Sequence, residues 1–224
     1  SEQIEQQTQR FLSRLKAKDS VNLEETFSPN LAKRFTPQEM LAFAERENIA
    51  PLTTWQMVES YPYSKGKGVA YAQLPDGLLR FDYRWIPWQW QLQNFCKVDR
   101  FVEETTLTFA EHIRSGELTA AKEMTVEAAF STHRYGQPFP LERLQHLHET
   151  LSSLPKAEPI QMNLRDYKDR QPRKYEQDLE YQQDFKYEQQ IKTGEARWAV
   201  DVHHAGYGRE GCQHLIFALE PLSH

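Results

Sequence analysis

The chain has 224 residues and a formal net charge of −5, with 39% hydrophobic and 12% aromatic residues. That aromatic content excludes a disordered chain, and no apolar run reaches the roughly 20 residues a bilayer span needs. Residues 1 to 98 hold 12 Lys/Arg against 11 Asp/Glu and residues 99 to 224 hold 15 against 21, with no cluster of basic residues interleaved with aromatics, so nucleic-acid binding lacks its electrostatic footprint.

The first helix is predicted over Gln3 to Ala17, where Ile4, Thr8, Phe11, Leu12 and Leu15 form one stripe at helical spacing. A short second helix follows with Ser20 as N-cap and Leu23 and Phe27 facing inward. A third opens at Thr36-Pro37-Gln38-Glu39, a capping box with proline at the first helical position, and Met40, Leu41 and Ala44 give it an apolar face. After Pro51 the period falls to two. Trp55, Met57 and Tyr61 alternate with polar positions, and Val69 to Leu74 and Leu79 to Trp85 flank the turn Pro75-Asp76-Gly77, where Gly77 is expected at positive φ. Phe81, Tyr83 and Trp85 then face one way and Arg80, Asp82 and Arg84 the other. Past Pro87, Trp88, Trp90 and Leu92 alternate with Gln89, Gln91 and Gln93. This is the pattern of an antiparallel sheet with one greasy face and one wet face.

Helices are expected again near 100 to 114, 117 to 129 and 140 to 152, followed by a strand with Ile160, Met162 and Leu164. Residues 175 to 191 carry Tyr175, Leu179, Tyr181, Phe185, Tyr187 and Ile191 at odd positions and Glu, Asp, Gln or Lys at every even one. A long strand sorts these onto two faces; a helix would scatter them. Lys192-Thr193-Gly194 turns into a strand with Trp198, Val200 and Val202, and 205 to 211 turns into Leu215, Phe217 and Leu219.

The two halves thus read as the same unit twice, with a boundary at Val98-Asp99 that gives domains 1-98 and 99-224. Phe11, Leu15 and Lys18-Asp19 recur 98 positions later as Phe109, Ile113 and Gly116-Glu117, and Pro37 to Leu41 is echoed by Pro140 to Leu144. The boundary has no Pro/Gly/Ser linker, so the repeats are expected to pack on each other. The expected fold is α+β: two tandem repeats, each with about three N-terminal helices on a curved four-stranded antiparallel sheet. That element order, with its aromatic-then-aliphatic opening pattern, resembles the nuclear transport factor 2-like (cystatin-like α+β) superfamily. The resemblance implies a cone between helices and sheet. Members of that superfamily include isomerases, secretion-complex components and binding domains, so the fold leaves function open. The Asp base and Tyr/Asp oxyanion site of the isomerase branch find no counterpart, because nearly every Asp falls on a polar face or in a turn.

Several local patterns carry chemistry. Tyr83, Trp85, Trp88 and Trp90 form an aromatic stripe that lines a ligand pocket or fills a core. If the turn at 205 to 211 closes a hairpin, Asp201, His203, Cys212 and His214 would sit together on one sheet face and offer zinc two imidazoles, a thiolate and a carboxylate. His146 and His148 stand two apart on a helix and point to different sides. Gly206 to Gly211 lies between strands, where no helix N-terminus follows to hold a phosphate. Ser13-Arg14-Leu15-Lys16 matches a serine-acylase motif without its supporting motifs. The segment His133 to Pro138 is an insertion relative to the first half. Cys96 and Cys212 are expected as separate buried thiols.

No nucleophile–base pair, cofactor fingerprint or compact acid/base set appears, and no cofactor is expected. The reading is a non-catalytic binding or scaffolding protein for a protein partner or small apolar ligand. The alternative is a small-molecule enzyme or carrier using an apolar cone. The opening Ser1 in place of Met fits a processed or truncated chain, so an exported or membrane-anchored bacterial protein is favoured over a cytoplasmic one.

Overall fold

The computed structural model describes residues 1–47, 49, 54–126, 139–165, 186–208 and 211–223. It is an α+β protein with two separate four-stranded antiparallel sheets, each a simple meander. The chain divides into two units, one built on Ser1–Val98 and the other on Asp99–Gly208 with Cys212–His224. Among the described residues no helix is long and apolar enough to cross a membrane.

In the first unit, α1 (Glu2–Lys16) buries Ile4, Thr8, Phe11, Leu12 and Leu15, the stripe its spacing predicts. Lys18 follows in the left-handed region at φ 53°, and the amides of Lys18 and Asp19 donate back to the carbonyls of Leu15 and Arg14. This wrap satisfies carbonyls that the helix end would otherwise leave open. Asp19, not Ser20, caps α2 (Ser20–Leu23), its Oδ1 accepting from Asn22 N at 3.2 Å. The Asn22 side-chain amide, and then its backbone N–H, holds the Asp19 carboxyl below its usual range. One helix is additional to those predicted: α3 (Pro29–Arg34), capped by Ser28 Oγ accepting from Leu31 N at 3.1 Å. α4 (Pro37–Arg46) carries the expected cap, with Thr36 Oγ1 accepting from Glu39 N at 3.1 Å.

The sheet of this unit runs β1 (Gln56–Ser64), β2 (Lys67–Leu74), β3 (Gly77–Ile86), β4 (Gln89–Lys97) in spatial order. Leu74 pairs with Gly77, so Pro75-Asp76 alone forms the turn, and Gly77 begins β3 without a positive φ. Edge strand β1 slips register twice, between Met57 and Glu59 and between Pro62 and Ser64. On β4, Asp82 pairs with Asn94 but Tyr83 pairs with Leu92, which leaves Gln93 as an extra residue. Such a bulge reverses the alternation. It brings both Leu92 and Phe95 into the core, where strict period two would separate them. The wet face expected for β3 is also corrected, because Arg80 is only 1% exposed.

Between helices and sheet the first unit packs phenylalanine on phenylalanine. Phe11 lies 5.9 Å from Phe81 and 5.3 Å from Phe95, centroid to centroid, and Phe81 stacks on Phe95 at 5.8 Å. Phe27 and Phe43 close the cluster at 6.4 Å from Phe11 and 5.6 Å from Phe95. Phe27 also bridges to Leu92 as a parallel pair, with Ser28 N donating to Leu92 O at 2.8 Å.

The second unit takes α5 (Val98–Ser115), α6 (Leu118–Glu123) and α7 (Leu141–Leu151) before its sheet of β5 (Glu158–Arg165), β6 (Lys186–Thr193), β7 (Ala196–Tyr207) and β8 (Cys212–Pro221). α5 buries Val102, Thr106, Phe109, Ala110 and Ile113, and α7 buries Leu144, Leu147 and Leu151. Gly116 ends α5 at φ 81°, with Gly116 N donating to Ile113 O and Glu117 N to His112 O. Thr125 bridges in parallel to Ile216, and Ile216 N donates to Met124 O at 2.8 Å. The predicted strand over 175 to 191 enters the described residues only from Lys186 on, as β6; 175 to 185 and the insertion 133 to 138 lie outside them. Within β6, Tyr187 and Ile191 are buried as expected, but Glu188 is buried too. Edge strand β5 carries Pro159 and slips register between Pro159 and Gln161.

Candidate functional site

The aromatic stripe of β3 and β4 does not line one space. Tyr83 is 3% exposed, and its hydroxyl meets Thr8 Oγ1 at 2.7 Å. Thr8 already donates to Ile4 O at 2.8 Å, so the tyrosine is the donor. Burial drives the Tyr83 hydroxyl well above its ordinary pKa, with a smaller opposing effect from Thr8. Tyr83 is therefore a core residue tied to α1. Trp85 and Trp90 face each other across the hairpin, edge to face at 5.4 Å. Trp90 packs against the core, while Trp85 is 42% exposed. Gly68 makes room for this contact: a Cβ there would stand 2.5 Å from Ile4 Cδ1 and 3.2 Å from Trp90 Cζ3.

Trp88 is not on a strand. It occupies the β3–β4 turn with Pro87, since Ile86 pairs with Gln89. Proline sets the first central position near −65°, and Trp88 takes φ 73°, the sign a type II turn requires at the second. Its side chain is 90% exposed. The antiparallel order brings the β1–β2 turn, Lys65-Gly66, to the same end of the sheet, where Trp85 N donates to Gly66 O at 2.8 Å. Lys67 pairs with Arg84 in register, and Lys65, Lys67 and Arg84 are all exposed. Sequence reasoning missed this juxtaposition because the three cations lie apart in the chain. The sum of paired positions, fixed by the two-residue turn at 75–76, would have revealed the Lys67–Arg84 pair.

The same register places Tyr71 opposite Arg80. Arg80 donates from Nε and Nη2 to the two oxygens of Asp82 at 2.9 and 3.0 Å, and from Nη1 to Tyr71 Oη at 2.8 Å. This fork-to-fork pair with a phenol behind it is a structural lock, with all three guanidinium nitrogens donating to neighbours.

The four residues considered for zinc do not converge. β7 and β8 slip register between Asp201 and Val202 and between His204 and Gly206, which sets His203 opposite Leu215 and His204 opposite His214. Asp201 and His203 thus lie on one face and Cys212 and His214 on the other. His203 stacks on Phe217 at 4.8 Å, and His214 meets Tyr187 at 5.4 Å and His204 at 5.8 Å. Among the described residues no group of three His, Cys, Asp or Glu is placed to hold a metal ion. Neither cysteine is a free thiol; both are disulfide sulfurs, which corrects the expectation of separate thiols and removes a thiolate ligand. On α7, His146 is exposed, whereas His148 Nδ1 lies 2.7 Å from Ile113 O at the C-terminal end of α5. It serves as a helix cap.

No protein-family model, curated protein or solved structure matches the chain.

Proposed function

We propose that the chain is a non-catalytic binding or scaffolding module made of two copies of one nuclear transport factor 2-like unit. Support for two copies comes from equivalences at one fixed offset of 98 positions. Lys18 and Gly116 both end a helix at positive φ, with matching amide-to-carbonyl wraps from 18 to 15 and 116 to 113, and from 19 to 14 and 117 to 112. Phe27 and Thr125, also 98 apart, each make a parallel bridge from the helices onto a last strand. At the same offset Phe11 and Phe109 are identical, and Leu15 with Ile113 and Asp19 with Glu117 match in character, so backbone geometry and sequence pattern agree.

The observation that carries the binding reading is the phenylalanine cluster of the first unit. Phe11, Phe81 and Phe95 occupy the space between helices and sheet where this kind of fold would hold a ligand. Binding then falls to the outside, where Trp85 and Trp88 are exposed. A saturable, stoichiometric uptake of an apolar dye by the native protein, measured by fluorescence titration, is the result that refutes binding on the outside alone. The expected result is no saturable uptake. A small-molecule site in the second unit is favoured by one arrangement, Tyr187, His204 and His214 on one face of β6–β8. If that is the site, dye uptake is seen and His214→Ala abolishes it.

A further inference from the structure

The apex of the β3–β4 hairpin combines features that a packing role does not explain. Trp88 presents its indole to water at 90% exposure, from a backbone at φ 73° that glycine would adopt without strain. A large apolar residue at a strained, solvent-facing position is not accounted for by packing or by turn stability. Ile86 and Pro87 complete an apolar tip. Immediately behind it Lys65, Lys67 and Arg84 form a basic collar, held in place by the Trp85–Gly66 backbone bond and the Lys67–Arg84 register. Among the described residues none of the three forms an ion pair. Neither of the two turns, Lys65-Gly66 and Pro87-Trp88, carries a carboxylate.

An apolar tip on a cationic collar is complementary to one kind of surface. Indoles favour the headgroup level of a bilayer, where one edge is wet and the ring is not. Lysine and arginine at that depth meet the phosphates of anionic lipids. A single-stranded nucleic acid asks for ring faces offered in series. Here Trp85 and Trp90 turn edge to face at 67° and cover each other, leaving one fully presented indole. We propose that the β3–β4 tip docks on an anionic membrane surface, with Trp88 at the interface and Lys65, Lys67 and Arg84 against headgroup phosphates. The proposal rests on the binding-module reading and names the partner of that same hairpin.

The test is co-sedimentation of the whole chain with phosphatidylcholine vesicles, with and without phosphatidylserine at about one lipid in three. The expected result is sedimentation with the anionic vesicles only, weakened as salt is raised. The double variant Lys65→Gln/Lys67→Gln should lose about 25-fold in partitioning, at about fivefold per cation. Trp88→Gly, whose backbone suits the turn and so preserves folding, should lose about tenfold. Circular dichroism identical to the parent shows that either loss is local. The proposal is overturned if anionic vesicles leave the chain in solution, or if both variants bind as the parent does. It is overturned equally if single-stranded RNA is retained in a Trp88-dependent manner and displaces the vesicles. Vesicle failure with no dye uptake sinks this inference alone; dye uptake sinks the exterior-surface reading on which it rests.

Discussion

The two helix ends at Lys18 and Gly116 make opposite predictions from one backbone. Gly116 sits at φ 81°, where an L-residue costs about 1–2 kcal/mol. A Cβ added there would also stand 3.3 Å from His148 Cε1, tighter than ordinary contact. The ring is held by its 2.7 Å approach to Ile113 O, so it can yield only by lengthening that bond. Gly116→Ala should therefore destabilise the second unit by about 2 kcal/mol, the upper part of the left-handed penalty. Lys18 holds the equivalent backbone at φ 53° with a side chain in place. Lys18→Gly should stabilise the first unit by about 0.5–1 kcal/mol, since the exposed Lys18–Glu45 pair at 3.5 Å contributes little. Amide hydrogen exchange read by mass spectrometry separates the two units: protection should fall over α5 and α7 in the first variant and rise over α1 and α2 in the second. Unchanged protection of α5 in Gly116→Ala, or a loss over α1 in Lys18→Gly, refutes the argument.

Asp82→Ala should cost the first unit about 3 kcal/mol, because it strands a guanidinium that is 1% exposed. Tyr71→Phe should cost about 1.5 kcal/mol, and the double variant less than their sum; urea unfolding followed by tryptophan emission reports mainly on this unit, which holds Trp55, Trp85, Trp88 and Trp90 but not Trp198. Above pH 10 the unfolded chain releases the Tyr83 proton while the folded chain keeps it, so stability should fall by up to about 1.4 kcal/mol per pH unit; Tyr83→Phe should flatten that slope, and an unchanged slope would count against the buried donor. Thiol titration in denaturant should find no reactive cysteine before reduction and two after it; a thiol found without reductant contradicts the structure. Trp88→Gly should raise the stability of the first unit by about 1 kcal/mol while weakening its binding, since left-handed strain is released.

What the sequence disclosed follows from which forces are local. The α1 stripe, the Thr36 cap and the Pro75-Asp76 turn depend on residues within a few positions of one another, and all three appear in the structure. The bulge at Gln93 has no such signature, because an extra residue shows itself only against the partner strand. One unseen residue was enough to move Phe95 into the core and Asn94 out of it. The slips in β7 and β8 likewise separated His203 from His214, which parity along each strand had joined. The charge of Arg80 predicts a solvent-facing side chain, whereas Asp82 two positions on and Tyr71 across the strand provide its partners inside the protein. For Trp88 the opposite holds: its hydrophobicity predicts a strand face, yet the Pro87 turn puts it at the tip.

Both sheets begin with an edge strand that a proline and a register slip spoil for further pairing, at Pro62 in β1 and Pro159 in β5. A strand from another molecule laid along either border would find a missing amide and a kinked row of carbonyls. Recruitment by main-chain zippering is thereby closed off on those borders, as is their use as templates for fibril growth. Whatever these two margins meet must be gripped by side chains.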